Sequence, residues 1–554
     1  MKNLDNEIWA YVLRNSIDYG KADSGRILPK LFQHGLEKKD IREALIKIQE
    51  IIEKANALSS DEKNSKFESY QAYLKEKEEV EKGLPELPSV GKDMIFRLAP
   101  FPSGALHIGN AKTYLLNAIY AEKYKAKILL IMDDTIGSEE KQLIRESYKL
   151  LQEAFDWLDV KYEKTIYYKS DRLKIYYKYA EKLIEKDKAY VCHCPQEILR
   201  KNREEGKECE HRNLPVKEQI KEWRMMFKAK EGSSVLRLKT SMQNPNPAFR
   251  DRVLFKISDR EHPRVGKKYR VWPTLEMSWA IDDHLLGITH ILRGNDLMIE
   301  TEMEKYLWDI FKWKHPETMH TGLIKIEGID GAKISKSKAQ KEVKSGEFIG
   351  WDDPRTWSIQ SLARRGIQKD SVREFVKEIG LTNHDITVPI DTLYSINRKM
   401  IDLDSERYSF VPEQIEIKIK GAPKIEDVEV TIHPDKKEKR KIEVGNEIFI
   451  SGADFNDLKG KDIRLLHLYN IHLDKKKHEA KFTSLENKDI PKINWVSEGV
   501  KAKVLMPDGK WTEGLIEKSA KKLEKGKIVQ LERFGFCRFD GQNKGFHEFW
   551  FAHR

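Results

Sequence analysis

Four cysteines in 554 residues are too few for a disulfide framework in a chain of this length. No apolar run approaches the ~18 residues that a membrane span requires. Met1–Ala10 carries Lys2, Asp5 and Glu7 in place of an apolar core, so no secretory leader is expected there. A soluble, cytoplasmic protein without a membrane partner is the expectation. No internal repeat is visible, which argues against a solenoid. Acidic residues are in deficit: 101 Lys and Arg face 90 Asp and Glu, for a net charge of +11 and a pI near 9.0. That balance favours a polyanionic partner, with nucleic acid first among the candidates. The length suggests roughly three or four domains.

What is present centres on Pro100–Asn110, which reads Pro100-Phe101-Pro102-Ser103-Gly104-Ala105-Leu106-His107-Ile108-Gly109-Asn110. An apolar run, Met94–Leu98, precedes it, and a helical pattern over Ala111–Tyr124 follows. A strand, a proline-bounded glycine loop and a helix start bring backbone N–H groups and the positive helix end to one point. His107 and Asn110 are three apart and share one side of the first turn. Together these make a candidate nucleotide-phosphate site; a tight turn with a capped helix is the plainer alternative.

Residues 1–83 read as a helical appendage, with the apolar period clearest over Ile41–Ala55 and a charged helix expected over Glu68–Lys82. Gly83-Leu84-Pro85-Glu86-Leu87-Pro88 reads as a linker. Residues 84–190 alternate strand and helix: the apolar run Lys127–Met132 is of buried parallel type and ends in Asp133-Asp134-Thr135, ahead of an amphipathic helix over Glu139–Leu158. Carboxylates at the end of such a strand face the crevice where α/β sheets bind ligands. The alternation stops over 191–268, which reads as an insertion with strands at Val235–Lys239 and Val253–Ile257. It resumes over 269–352, where Ile288–Leu292 leads into Arg293-Gly294. A helical connector is expected over 353–404. Over 405–554, period-two alternation at Ile415/Ile417/Ile419, Val428/Val430/Ile432 and Ile448/Ile450 indicates two β-barrels. The clusters Lys436–Lys441 and Lys475–Lys477 would lie in loops between those strands and offer contacts to a phosphate backbone. The fold class is therefore α/β, with a doubly wound parallel sheet interrupted by an insertion and flanked by a helical appendage, a helical connector and an all-β region.

Two further groups stand out. Cys192-x-Cys194 and Cys209-x-His211 are closely spaced ligand pairs able to close a tetrahedral zinc site with no open position, hence a structural one. Incidental buried cysteines are the alternative. Gly331–Ser337 places Lys333, Ser335, Lys336 and Ser337 in one short loop, able to meet several phosphate oxygens.

Leu106-His107-Ile108-Gly109-Asn110 and, later, Lys333-Ile334-Ser335-Lys336-Ser337 resemble the two signatures of class I aminoacyl-tRNA synthetases. Arg97-x-Ala99-Pro100-x-Pro102-Ser103-Gly104, Met132–Thr135 and Asp282–Gly294 resemble the glutamyl/glutaminyl subgroup. The β-rich C-terminal half and Asn397–Asp402 are similar to its archaeal form, over about residues 84–554.

The resemblance implies a glutamate–tRNA ligase. ATP and glutamate would give glutamyl-adenylate, and the glutamyl group would pass to the 2′-hydroxyl of the terminal adenosine of tRNA. Whether glutamine tRNA is also charged stays open. His107, Asn110, Lys333 and Lys336 would serve catalysis, and Pro100–Asn110 with Ser335, Lys336 and Ser337 would bind ATP with Mg²⁺. Arg97, Ser103, Asp133 and Arg293 would hold the amino acid. The insertion would carry Zn²⁺ and support the acceptor end, the barrels would read the anticodon, and the enzyme would be a monomer. Two departures are plain: Asn110 stands where histidine is usual, and Leu275-Glu276-Met277 stands where relatives often carry a pocket tyrosine. A glutaminyl-tRNA synthetase shares nearly all these motifs, and a smaller nucleotidyltransferase shares the first.

Overall fold

The computed structural model describes residues 4–20, 22–36, 40–74, 84–137, 142–328, 336–445 and 447–554, without the side chains of 18, 19, 29, 33, 60, 61 and 336–338. It divides into two units, Met1–Gly83 and Leu84–Arg554. The first packs four helices, Asp5–Tyr19, Ser24–Leu31, Ile41–Asn56 and Ser60–Tyr70, around Ile8, Val12, Ile27, Leu31, Ile48 and Ile52. Ser59 and Glu62 bond each other's backbone N–H in a capping box, which starts the fourth helix well before the expected Glu68. The rest of the charged run, residues 75–83, lies outside the described residues.

The second unit is built on five parallel strands in the order Ile166–Tyr168, Lys127–Met132, Ile95–Leu98, His290–Gly294, Glu317–Thr321. The strand order reverses between Ile95–Leu98 and His290–Gly294, and α/β sheets bind ligands beyond the strand ends at such a point. Phe96, Leu98, Leu130 and Met132 are fully buried, each worth about 1.5–3 kcal/mol on leaving water. The helix after the loop runs from Ile108 to Tyr124, three residues earlier than its apolar pattern, because His107 takes the N-cap backbone conformation. It ends where Lys125 adopts a left-handed conformation and its N–H returns to the carbonyls of Ala121 and Glu122. The next helix spans only Ser147–Trp157, shorter than the expected Glu139–Leu158.

The insertion forms a four-stranded antiparallel sheet of Ala189–Cys192, Val235–Leu238, Val253–Ile257 and Val271–Pro273. Its last strand falls in the stretch where sequence pattern suggested that the parallel arrangement had already resumed. The connector is also not purely helical: Ile386–Pro389 is a strand that pairs in parallel with Ile324–Glu327, just ahead of the Lys333–Ser337 loop.

The all-β region has a seven-stranded and a six-stranded sheet with separate cores, one around Phe410, Val504, Val529 and Phe549, the other around Ile417, Ile450, Ile471 and Trp495. The expected loop at Lys436–Lys441 is in part the strand Lys439–Glu443. Its alternation turns Arg440 inward onto Glu517 at 2.7 and 3.2 Å and leaves Lys439 and Lys441 outside. A groove of about 790 Å³ opens beside it, lined by Lys439, Lys441, Lys518, Lys521, Lys522 and Lys527 among others. Lys475–Lys477 do form a turn, closed by Asp474 accepting from the N–H groups of Lys476 and Lys477.

Buried hydrogen bonds join connector and barrel: Arg365 donates to the Phe551 and Ala552 carbonyls, and Asn397 meets His553. The Asn397 amide oxygen accepts from Gln368 N–H and Ser371 Oγ, and its Nδ2 lies 2.9 Å from His553 Nε2. Burial, with Arg398 and Arg365 nearby, pulls the His553 ring from 6.5 down to about 4. The unfolded chain therefore binds more protons than the folded one between those values. Stability from this group is present above about pH 6.5 and is lost as pH falls toward 4, by about 3 kcal/mol in all. Urea midpoints measured from pH 4 to 6.5 are expected to fall less steeply for His553→Gln than for wild type; parallel curves would contradict this.

Candidate active site

A cavity of about 790 Å³ opens at the carboxyl ends of the parallel strands, within the size range of small-molecule sites. Ser103, His107 and Asn110 line it from the loop and first helix, Asp133 and Thr135 from the second strand's end, and Arg203, Arg252 and Lys256 from the insertion. The helix Leu275–Leu285 contributes Leu275, Glu276 and Trp279. The loop is held from both sides. Asp133 N–H donates to the Pro100 carbonyl at 3.0 Å, and Ile108 N–H and Ile359 N–H exchange bonds with Trp357 and Leu106. Gly104 is a forced choice, because a Cβ there would stand 2.6 Å from the Trp351 ring.

The helix start is less open to anions than its sequence suggests. Ile108 N–H is used by Trp357, and those of Asn110 and Ala111 return to the His107 carbonyl at 3.0 Å. Side chains, chiefly His107 and Asn110, therefore present most of the polar surface on this wall.

The two aspartates at the second strand's end divide their work. Asp134 accepts from Ser170 N–H, Ser170 Oγ and Tyr148 Oη at 2.8, 2.8 and 3.0 Å, which caps the strand end. Burial raises its carboxyl. Asp133 lines the cavity, and its Oδ1 lies 3.0 Å from Lys169 Nζ. Lys169, fully buried on the turn after Ile166–Tyr168, also donates to Ser278 Oγ at 2.8 Å. Burial pulls its ammonium down while Asp133 opposes the fall.

Neither Arg97 nor Arg293 is among the cavity's lining residues. Arg97 grips Asp283 through Nε at 2.5 Å and Nη2 at 3.1 Å. Arg293 donates to both oxygens of Glu304 at 2.9 and 2.8 Å and to Thr301 Oγ1 at 3.0 Å. Burial raises the Glu304 carboxyl to about 7 against the pull of Arg293. Both arginines stand behind Trp279. Sequence offers Trp272 and Trp279 as pocket walls or core packing; Trp279 lines the cavity and Trp272 is fully buried outside its lining, while Lys169, Asp283 and Glu304 are not marked as site residues. A charged residue inside an apolar helical stretch, as at Asp283, is the one signal that would have raised that question. Lys333 and Ser335 lie outside the described residues; Lys336 and Ser337 open the helix Lys336–Ser345.

In the insertion, Cys192, Cys194, Cys209 and His211 bring their four ligand atoms within 4.8 Å of one another. Cys192 and Cys209 Sγ are 3.7 Å apart, and Cys194 Sγ is 3.6 Å from His211 Nδ1. With Zn–S bonds of ~2.3 Å, a tetrahedral site separates its sulfurs by about 3.8 Å, so donor set and spacing fit zinc. Arg237 Nη1 lies 3.9 Å from both buried sulfurs and favours thiolates. The Cys192 thiol, bonded to Cys209, pulls Cys209 down to about 4 and is itself pushed up. Gln219 donates to the His211 carbonyl and accepts from Val191 N–H, tying the two ligand pairs together.

Residues 93–403 match the family model described as tRNA synthetases class I (E and Q), catalytic domain, and 405–489 and 475–540 match the two anticodon-binding domain models of the same family. The chain belongs to the class I glutamyl/glutaminyl-tRNA synthetase family. Proteins named Glutamate--tRNA ligase resemble it throughout. That of Methanothermobacter marburgensis is 37% identical over 561 residues, covering 100% of both chains. Those of Pyrococcus abyssi and Pyrococcus furiosus are 40% and 41% identical over 96% of both chains. For this synthetase the catalytic domain takes in the parallel sheet, the insertion and the connector, and the β half holds the anticodon-binding domains. Among its described residues no helix is long and apolar enough to cross a membrane.

Proposed function

We propose that the cavity is where this chain activates glutamate with ATP and transfers it to tRNA. One juxtaposition carries the reading: the phosphate-type pair His107 and Asn110 and the buried carboxylate Asp133 line the same space, in a chain whose full-length relatives are named Glutamate--tRNA ligase. In the first step an α-carboxylate oxygen bonds to the α-phosphorus of ATP and pyrophosphate leaves. In the second, the 2′-hydroxyl of the terminal adenosine attacks the carbonyl and AMP leaves. Asp133 holds the α-ammonium by hydrogen bonding from the carboxylate that it shares with Lys169, and Ser103 bonds the substrate from the opposite loop. Arg97 and Arg293 supply positive potential at the side-chain end. His107 and Asn110 steady the phosphates by hydrogen bonding; Asn110 does so without ever carrying charge. Lys333 and Lys336 meet the charge that grows on pyrophosphate, stabilising the transition state rather than attacking it. Magnesium enters as part of the ATP substrate.

The tRNA acceptor end reaches the cavity beside the insertion, and the lysine groove of the β half meets the anticodon end. Cys192, Cys194, Cys209 and His211 hold a structural zinc with no catalytic position. The enzyme works in the cytoplasm as a monomer. Aminoacylation with glutamate and with glutamine on each purified tRNA tests the reading; charging with glutamine alone would refute it. For the metal, one zinc per chain is expected by elemental analysis. Cys209→Ser should reduce this to less than one half and lower the melting temperature by several degrees, and full zinc retention would exclude the four-ligand site.

A further inference from the structure

One indole carries three buried cations. Trp279 is 5% exposed and lines the cavity. The guanidinium carbons of Arg97 and Arg293 and the Nζ of Lys169 each lie 4.6 Å from its ring centroid. They arrive from separate places: the strand Ile95–Leu98, the strand His290–Gly294, and the turn after Ile166–Tyr168. Like charges so close repel, and the negative faces of an aromatic ring lower that cost. Each cation also has its own carboxylate, in Asp283, Glu304 and Asp133 respectively.

Charge is thus balanced pairwise, but hydrogen bonding is not. Among the described residues, Trp279 Nε1 and Arg293 Nε are buried donors without an acceptor, and Asp133 Oδ1, ion-paired with Lys169 at 3.0 Å, is a buried acceptor without a hydrogen-bond donor. Buried donors without acceptors are rare and costly. With Asp133 Oδ1 taken up by the α-ammonium, the two donors, one on the cavity wall and one behind it, are left for a ligand group that accepts. A carboxylate is such a group, with two acceptor oxygens; a primary amide brings one acceptor and two donors, which would face cations.

We propose that Trp279, backed by the Arg293 guanidinium 4.6 Å from its ring, determines the preference for a side-chain carboxylate over an amide: the ring spaces the three cations, and the indole N–H is held for a carboxylate oxygen. This rests on the cavity being the site of glutamate activation. The role is absent from the motif residues of the two signatures, and it comes from side chains that tertiary packing alone brings together.

Trp279→Phe keeps an aromatic face and removes the N–H. In ATP–pyrophosphate exchange with tRNA present, it is expected to raise KM for glutamate about tenfold, as for one lost hydrogen bond to a charged group. The kcat should stay within about threefold and KM for ATP should not change. The ratio of kcat/KM for glutamate over glutamine should fall about tenfold as well. Arg293→Lys keeps the charge, removes Nε and is expected to shift KM for glutamate in the same direction, which covers the case of a misfolded Trp279 variant. A purely structural Trp279 would lower the melting temperature or the active fraction and leave both the KM for glutamate and the ratio in place. That outcome, with a wild type that activates glutamate, overturns the Trp279 proposal alone. A wild type that activates only glutamine overturns the reading of the cavity and the carboxylate preference together.

Discussion

Asp133→Asn is expected to lower kcat/KM for glutamate by about 10²–10³-fold while the protein still folds. The carboxylate is 2% exposed and stands 3.0 Å from Lys169, itself fully buried. Removing one partner of a buried ion pair leaves the other uncompensated, at a cost of about 3–5 kcal/mol. The same change removes a carboxylate that, alone among the described residues at the second strand's end, both lines the cavity and could meet an ammonium, since Asp134 is consumed by Ser170 and Tyr148. The two consequences can be separated. Asp133→Asn with Lys169→Met removes both charges and should recover most of the melting temperature, because an apolar replacement of a buried pair is often near neutral. Activity should stay low, because nothing then binds the α-ammonium. Should the single variant keep kcat/KM within threefold of wild type in pyrophosphate exchange, Asp133 has no part in substrate binding.

Lys336→Ala is expected to slow adenylate formation by about 10²–10³-fold and leave the Kd for tRNA within about twofold. Charge on the leaving pyrophosphate exists only as the bond breaks, so a lysine placed there acts on the rate more than on ground-state binding. The helix Lys336–Ser345 starts at this residue, and a strand that pairs with the connector, Ile324–Glu327, precedes the loop. Lys333→Ala should show a smaller loss of the same kind. Undiminished exchange in Lys336→Ala, with tRNA present, would remove the loop from the reaction.

The parts of the molecule legible in sequence were those whose signal is local. Lys127–Met132 is a strand over the residues that its apolar run marks, because a buried parallel strand needs apolar side chains on both faces. Cys192, Cys194, Cys209 and His211 converge because short pairs on neighbouring turns carry their own geometry. Elsewhere local pattern misled. Lys436–Lys441 reads as a cationic loop, yet Arg440 is buried against Glu517, 77 residues away, so one of its charges never faces solvent. Val271–Pro273 is equally apolar in a parallel or an antiparallel sheet, and only its partner Val253–Ile257 settles which.

The sequence by itself determined the order of elements, the glycine loop with His107 and Asn110, the metal-type ligand set and the family that these residues resemble. Each depends on neighbours a few positions apart. Tertiary structure decided how charge is distributed behind the cavity. Arg97 meets Asp283 across 186 residues, and Lys169 meets Ser278 across 109 and stands beside Asp133. The same packing set Trp279 among three cations. No spacing rule links such distant positions, because what selects them is the cost of burying a charge, and that cost arises only once the chain has folded around it.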